Sequence, residues 1–226
     1  MVDSYWTIGR RAEIQFTEKR SRFISFAIPV RNVDEVRTAV GSFQKEYYDA
    51  RHICYAYMLG PERKEWRAND NGEPSGTAGK PILGQINSSN LSDILIVVVR
   101  YFGGVKLGTS GLTEAYRRAA AEVISVTETV ERFVEREVVC YFTYGHMNDV
   151  MRVVKDLEPR VISQDYGSFA SDTYPDRFFD CRLTLCARLS VADTVVLRLK
   201  KLTETQRVPE IVILGDGIEQ FCCLSE

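Results

Sequence analysis

Two glycine-rich stretches contain the residues of this chain that are best suited to binding a polar ligand. They run from Asp70 to Pro81 (DNGEPSGTAGKP) and from Arg100 to Gly111 (RYFGGVKLGTSG), and they hold seven of the fifteen glycines. Glycine is favoured where the backbone needs a positive φ or must approach a partner closely. The two stretches therefore predict a shaped backbone surface, on which side chains of both charge signs are placed.

The second stretch lies between a β-branched run and an amphipathic helical pattern. In a strand, loop and helix arrangement, backbone N–H groups and the positive helix end can hold an anion. The spacing does not match a phosphate-binding loop of the GxxxxGK[ST] type, because Lys106 precedes Gly108 and Thr109, and GxGxxG is absent as well. A tight turn without a ligand explains the same glycines equally well.

The first stretch offers a possible pair of catalytic carboxylates. Asp70 and Glu73, with Lys80 as an electrostatic partner, have the chemistry for proton transfer or metal binding. Turn formation explains these residues as well, because such side chains bond to nearby backbone. His52 and Cys54 lie on one face of a predicted strand but about 7 Å apart, too far for a direct hydrogen bond. We therefore predict no catalytic residue, no metal and no cofactor.

Basic and aromatic residues of the two stretches favour contact with an anionic partner. Arg100 and Lys106 beside an aromatic pair can contact phosphate while a ring stacks on a base. Core packing of the same rings is an equally good explanation. The predicted ligand-binding residues are His52, Asp70, Asn71, Glu73, Ser75, Thr77, Lys80, Arg100, Tyr101, Phe102, Gly103, Gly104, Lys106, Gly108, Thr109 and Ser110.

Charge distribution limits the extent of any nucleic-acid contact. Up to Arg136 the chain carries 19 Lys and Arg against 17 Asp and Glu, and from Glu137 onward it carries 10 against 14. A protein that binds mainly by neutralising phosphates needs a basic excess. We therefore expect any such contact to be local and weak. The sequence does not indicate an oligomeric state.

Composition indicates an ordinary globular protein. The 226 residues are 45% hydrophobic and 27% charged, which suits one large or two small domains. The longest apolar run, Ile94 to Val99, is too short to cross a bilayer, and the start of the chain has no hydrophobic signal core. We expect a cytoplasmic protein without membrane contact. The six cysteines show no framework spacing and are expected to be reduced.

Hydrophobic periodicity predicts alternating strands and helices in the first half. Asn32 followed by Glu35 predicts a capped helix start. The Ile94 run is β-branched on both faces, which predicts a central strand covered on two sides. The predicted elements are a hairpin of strands around 12–16 and 23–30, a helix to Tyr48, a strand His52–Leu59, a structureless loop Gly60–Gly79, a short helix from Pro81, the central strand Ile94–Tyr101 and a helix Leu112–Ile124.

A second, smaller unit is predicted from about residue 136. Its elements follow the order βαββαβ, which is typical of a ferredoxin-like antiparallel sheet with two helices on one face. The final strand is ambiguous between Ile211–Leu214 and Ile218–Leu224. The other predicted elements are strand Val138–Tyr144, helix Met147–Leu157, strand Val161–Tyr166, a polar loop, strand Phe178–Leu189 and helix Val191–Thr205.

The glycine-rich tracts resemble those of the YigZ/IMPACT family. The similarity rests on the first stretch, on RYFGGVKLG from Arg100, on Gly111-Leu112 with Tyr116, and on the HICYAY strand from His52. It is strong over about residues 5–130, and after Glu137 it rests mainly on element order.

This resemblance implies an α+β protein of two domains. Residues 1–135 are expected to form a βαβ sandwich similar to domain IV of elongation factor G (ribosomal S5 domain 2-like). Residues 136–226 are expected to form a ferredoxin-like βαββαβ domain similar to its domain V.

The resemblance also implies a non-enzymatic binding protein. It is expected to regulate translation or a stress response by contacting RNA, the ribosome or a translation-related protein. The alternative is a hydrolase or other enzyme that acts on a phosphorylated or peptide substrate through the two glycine-rich stretches.

Overall fold

A computed structural model describes residues 2–171, 174–204, 212–214 and 219–220. The chain divides into two compact units, Val2–Arg132 and a second that begins at Phe133. Both units contain helices and sheets, which confirms the predicted mixture of α and β structure. Among the described residues, no helix is both long enough and apolar enough to cross a membrane.

The first unit is built around a five-stranded sheet of order β2-β3-β6-β4-β5, in which every neighbouring pair is antiparallel. A separate two-stranded sheet pairs β1 with β7. The elements are β1 Ser4–Ile8, β2 Ala12–Glu18, β3 Ser21–Pro29, α1 Val33–Glu46, β4 His52–Leu59, β5 Glu65–Asn69, α2 Gly79–Ser88, β6 Ile94–Tyr101, α3 Gly108–Ser125 and β7 Thr129–Phe133.

Helices cover the five-stranded sheet on both faces. Ile94 and Ile96 of β6 lie in the core beneath α2 and α3, whereas Leu95 and Val97 lie in a second core that includes residues of α1. All four side chains are fully buried. The predicted central strand with two covered faces is therefore confirmed, and its two faces carry the first unit's two cores.

The predicted helix cap at Asn32 and the predicted first hairpin are confirmed. The Asn32 side chain accepts a hydrogen bond from the Glu35 N–H at 2.9 Å, and the Glu35 carboxylate accepts one from the Arg31 N–H at 2.9 Å. Lys19 and Arg20 join β2 to β3 with φ of 43° and 67°. Two positive φ values match a two-residue hairpin turn whose twist suits the flanking strands.

Three short strands of the first unit were missing from the sequence prediction. β5 lies inside the Gly60–Gly79 segment that was predicted to be a structureless loop, and neither β1 nor β7 was predicted at all. β5 is an edge strand that exposes Glu65, Trp66 and Arg67, so its sequence has no clear apolar alternation. Backbone pairing with β4, rather than burial of side chains, defines it.

The second unit has a sheet of order β11-β8-β10-β9, and β12 also pairs with β8. Helices α4 and α5 pack on one face of it, where Val150 and Val195 join Leu183 and Leu185 in a single core. Its elements are β8 Glu135–Phe142, a 3₁₀ turn Tyr144–His146, α4 Met147–Leu157, β9 Arg160–Ser171, β10 Tyr174–Arg188, α5 Leu189–Glu204, β11 Val212–Leu214 and β12 Glu219–Gln220.

The predicted polar loop after Tyr166 is wrong, because β9 and β10 extend through most of it. Ladder hydrogen bonds do not require apolar side chains, so this ladder continues beyond the hydrophobic pattern. Both candidate final strands contain a paired segment, β11 and β12. The remainder of 205–226, including Cys222 and Cys223, lies outside the described residues. Cys54, Cys140, Cys181 and Cys186 are buried free thiols.

Candidate functional site

The two glycine-rich stretches meet in the first unit. The Arg100 guanidinium, at the end of β6, donates a hydrogen bond through Nη1 to Oε1 of Glu73 at 2.6 Å. Both side chains are almost completely buried, with 5% and 3% of their surface exposed. The register of the sheet brings the two stretches together. His52 of β4 pairs directly with Arg100 of the second stretch, and its ring contacts Asn71 of the first. The stretches therefore form one site.

A cleft of about 590 Å³ opens beside this ion pair. Its volume falls in the range of small-molecule sites, which is about 300–1,000 Å³. The residues that line it are Arg51, His52, Glu73, Pro74, Arg100, Phe102, Lys106, Leu107, Gly108, Thr109 and Leu112.

Glu73 is the centre of a buried hydrogen-bond network behind the cleft wall. The Tyr116 hydroxyl donates to Oε1 of Glu73 at 2.8 Å, and the Cys54 thiol lies 3.3 Å from the Tyr116 hydroxyl oxygen. Burial raises the pKa of Tyr116 well above its usual value and raises that of the Cys54 thiol to about 12. Cys54 is therefore a protonated thiol at neutral pH and a poor nucleophile.

His52 has its tautomer set by the first glycine-rich stretch. Its Nδ1 lies 2.9 Å from the carbonyl oxygen of Asn71, which can only accept, so Nδ1 carries the hydrogen. Nε2 lies 3.8 Å from Oε2 of Glu73. The Asn71 side chain also accepts from the Ile53 N–H at 2.9 Å, which ties the loop to β4.

Asp70 serves the backbone of its own loop. Its carboxylate accepts from the N–H groups of Gly76, Ala78 and Gly79 at 2.8, 3.0 and 2.8 Å. Burial raises the pKa of Asp70, but these three donors, together with the charge of Lys80, outweigh burial and lower it overall. Asp70 therefore caps the start of α2, and Asp70 and Glu73 do not form a pair that shares one proton.

The cap predicts a pH dependence of stability. A carboxylate with a lowered pKa in the folded state stabilises the fold above its ordinary value of 3.8, and this contribution is lost as the pH falls through the folded value. We expect Asp70→Asn, which removes the charge that accepts these bonds at the start of α2, to lower the free energy of unfolding by about 1 kcal/mol at pH 7. In urea denaturation at several pH values, the difference from wild type should shrink below pH 3.8. A difference independent of pH would contradict the charged cap.

Arg100 and its neighbours divide between the two faces of the sheet. Tyr101 packs in the core that includes α1; its hydroxyl donates to Asp49 at 2.9 Å, and the Arg22 guanidinium lies 4.3 Å from its ring centre. Phe102 lines the cleft instead, with half of its surface exposed. The Arg100 guanidinium carbon lies 5.7 Å from the Phe102 ring centre. Only the second aromatic is therefore available in the cleft.

Electrostatics of the cleft favour an anion. Among the described residues, Glu73 is the one carboxylate that lines the cleft, and Arg100 neutralises that charge. Lys106 and Arg51 are exposed and make no ion pair with any described residue. The first turn of α3, which begins at Gly108, has no acidic residue and no side-chain cap. Two cations and a positive helix end are thus left unopposed.

The predicted ligand-binding residues fall into three groups. Those that line the cleft are His52, Glu73, Arg100, Phe102, Lys106, Gly108 and Thr109. Those that bond to the residues or loops around it are Asp70, Asn71, Thr77 and Gly103. Those outside both groups are Ser75, Lys80, Tyr101, Gly104 and Ser110.

Sequence reasoning missed four lining residues: Arg51, Pro74, Leu107 and Leu112. Pro74 and Leu107 belong to the two stretches but are not polar, and Leu112 was assigned to the helix core. Arg51 lies outside both glycine-rich stretches. The pairing of β4 with β6 brings it to the cleft.

The fold and the cleft together define a protein of mixed α and β structure with a cleft whose charges suit an anion. Residues 19–124 match the model of the Impact N-terminal domain. The chain is 33% identical to IMPACT family member YigZ of Escherichia coli over 153 residues, which cover 67% of this chain and 75% of that protein. The chain belongs to the IMPACT family, which confirms the resemblance noted from the glycine-rich tracts.

Two further similarities extend the comparison. IMPACT family member YvyE of Bacillus subtilis is 39% identical over 132 residues, which cover 58% of this chain. The match spans 61% of that protein's length. A solved structure described as the crystal structure of a hypothetical protein has a TM-score of 0.67 and 27% identity, with 96% of this chain and 99% of that one covered. The likeness therefore extends over both units.

Proposed function

We propose that this protein is a non-enzymatic regulator of translation that contacts RNA through the cleft of its first unit. One observation carries the RNA contact: Arg100 neutralises Glu73, the one carboxylate among the described residues of the cleft, so that Lys106 and Arg51 are unopposed there. Membership of the IMPACT family supports the link to translation, because the resemblance to that family implies a regulator of translation. A ribosomal or translation-factor protein surface is the competing partner.

Binding is favoured over catalysis because the reactive groups are already engaged. Glu73 is bonded by Arg100 and Tyr116, Asp70 by three backbone N–H groups, and the Cys54 thiol is protonated. A catalytic site needs a nucleophile or base that can reach the substrate in a reactive state. Among the described residues that line the cleft, His52 is the one imidazole; its Nδ1 is bonded to the Asn71 carbonyl and its Nε2 lies 3.8 Å from Oε2 of Glu73.

The imidazole of His52 gives an enzymatic alternative that can be tested. His52 lines the cleft, and an imidazole is the commonest general base in enzymes. Hydrolysis of phosphomonoester or peptide substrates that is abolished by His52→Gln, while RNA affinity is unchanged, would establish an enzyme acting on phosphorylated or peptide substrates. Equal background turnover in wild type and His52→Gln would support the binding protein.

The charge reversal Lys106→Glu tests the RNA contact. We expect salt-sensitive binding of a short unstructured RNA by the wild-type chain and a loss of most of that affinity in the variant. The slope of log affinity against log salt should fall by about 0.7 for each phosphate contact removed. Fluorescence anisotropy at several salt concentrations measures both quantities.

Lys45→Glu is the matched control for this reversal. Lys45 lies in the last turn of α1, which packs on the face of the sheet opposite α2 and α3. The control should bind RNA with nearly the wild-type affinity. Absence of binding at low salt, or equal losses in the two variants, would contradict an RNA contact at the cleft and favour a protein partner.

The domain assignment is part of the proposal. We propose that residues 1–135 and 136–226 are the IMPACT-type and ferredoxin-like domains, with folds similar to domains IV and V of elongation factor G. The antiparallel strand order β11-β8-β10-β9, with α4 and α5 on one face, supports the second assignment. The three layers of the first unit support a sandwich.

A further inference from the structure

We propose that the cleft receives one unpaired base of a single-stranded RNA, stacked on Phe102, while the strand's phosphates follow a basic path that continues to the Lys19–Arg20 turn. This inference rests on the proposed RNA contact and specifies its form. It names the ring that holds the base, the cations that hold the backbone and the kind of RNA that fits.

Phe102 has the properties of a stacking platform. Half of its surface is exposed, although it lies in the wall of a cleft, and Arg100 approaches its ring at 5.7 Å. Arg100 is held by Glu73 and Ser21, so the cation beside the ring is fixed in place. A ring supported by a fixed group loses little freedom when a base stacks on it, and stacking does not require a particular base.

Unpaired donors belong to the residues that line the same cleft as the ring. Nε of Arg100 is buried and has no hydrogen-bond partner among the described residues. Lys106 and the first residues of α3, whose first turn has no side-chain cap, also line the cleft. A phosphate beside the stacked base would satisfy the helix N–H groups and Lys106 together. This arrangement pairs an aromatic face with an anion site, as single-strand binding requires.

The basic path continues beyond the cleft through a backbone contact. A Cβ built on Gly103 would lie 2.0 Å from the carbonyl carbon of Arg20, so the second glycine-rich stretch packs directly against the turn between β2 and β3. The Gly103 N–H also donates to the Ser21 hydroxyl at 3.3 Å. Lys19 and Arg20 are exposed and make no ion pair with a described residue. They extend the positive surface from Lys106 past Phe102.

A single strand fits this surface better than a duplex. Stacking needs a base whose face is free, and bases inside a duplex are covered by their neighbours. A cleft of about 590 Å³ has the size of a site for one small ligand. A duplex can contact only the exposed lysines and arginines around the cleft. Its affinity should therefore be lower than that of a single strand and purely electrostatic.

The experiment compares two fluorescent strands of about 12 nucleotides, one of normal RNA and one abasic ribose-phosphate strand of equal charge. The full chain is titrated with each by fluorescence anisotropy. We expect the wild type to bind the normal strand about tenfold more tightly, and Phe102→Ala to remove that preference. Phe102→Tyr retains an aromatic ring and should restore it. Lys19→Ser with Arg20→Ser should lower the salt slope for both strands.

The outcomes separate this inference from the function on which it rests. If Phe102→Ala leaves the preference unchanged while Lys106→Glu removes binding, the stacked base is overturned and the RNA contact stands. An unchanged salt slope in the Lys19 and Arg20 variant overturns the continued path. If no strand binds the wild type at low salt, both proposals fail. Circular dichroism of each variant shows whether it is folded.

Discussion

Glu73→Ala is expected to lower the free energy of unfolding by about 3–5 kcal/mol. The substitution leaves the Arg100 guanidinium, with 5% of its side-chain surface exposed, without its counter-charge. It also removes the acceptor of the Tyr116 hydroxyl, which is fully buried. Desolvation of a buried charge is the dominant cost, because the Arg100 guanidinium stays buried without its carboxylate partner. Urea denaturation followed by circular dichroism measures the change.

Glu114→Ala provides a matched control with the same local geometry. The Glu114 carboxylate lies 2.6 Å from Arg117, the same distance that separates Glu73 from Arg100. Those side chains are 68% and 49% exposed, so water solvates both charges when the pair is lost. We expect a loss of about 0.5 kcal/mol or less. Similar small losses in both variants would show that the Arg100 charge is solvated.

The fold was predictable where burial shapes the sequence. β6 and α3 have apolar side chains at the spacing of their own periodicity, because one packs between two cores and the other covers one of them. β5 and β7 are short and carry mostly exposed or half-buried side chains. Strands of this kind are fixed by backbone pairing with distant partners, and a local pattern cannot report such pairing.

The site was predictable in part for a similar reason. Glycine spacing marked both stretches, but Arg51 is brought to the cleft only by the register between β4 and β6. The period of two along a strand also separates Tyr101 from Phe102, although their sequence positions suggested one aromatic platform. The Lys19–Arg20 turn joins the basic surface through contact with Gly103, which lies more than eighty positions away in the chain.

The net charge of the first unit did not predict how well its cleft suits an anion. The near balance of charges up to Arg136 predicted a weak and local nucleic-acid contact. The net charge of the first unit does not report the charge of its cleft, because some charges cancel in buried ion pairs. Arg100 and Glu73 form such a pair in the cleft wall. The cations that remain on the surface determine its potential. A nearly neutral domain can therefore carry a positive cleft.

Gly103→Ala is expected to destabilise the protein by about 1–3 kcal/mol and to weaken RNA binding. A Cβ at this position would lie 2.0 Å from the carbonyl carbon of Arg20 and 2.4 Å from the nitrogen of Ser21. Both atoms belong to the backbone, so a rotamer change cannot relieve the overlap. One loop must move away from the other, and Phe102 and the Lys19–Arg20 turn move with them. Urea denaturation and anisotropy measure the two effects.

Gly41→Ala is the contrasting control, because it adds the same methyl group where there is room. Gly41 lies inside α1, and nothing lies within 4 Å of a Cβ built there. Alanine should stabilise this helix by about 0.5–1 kcal/mol. If Gly103→Ala changes stability by no more than the control does, the close contact with Arg20 is absent. Opposite signs for the two variants would show that Gly103 is required for the approach of two backbone segments, and therefore for a continuous basic surface.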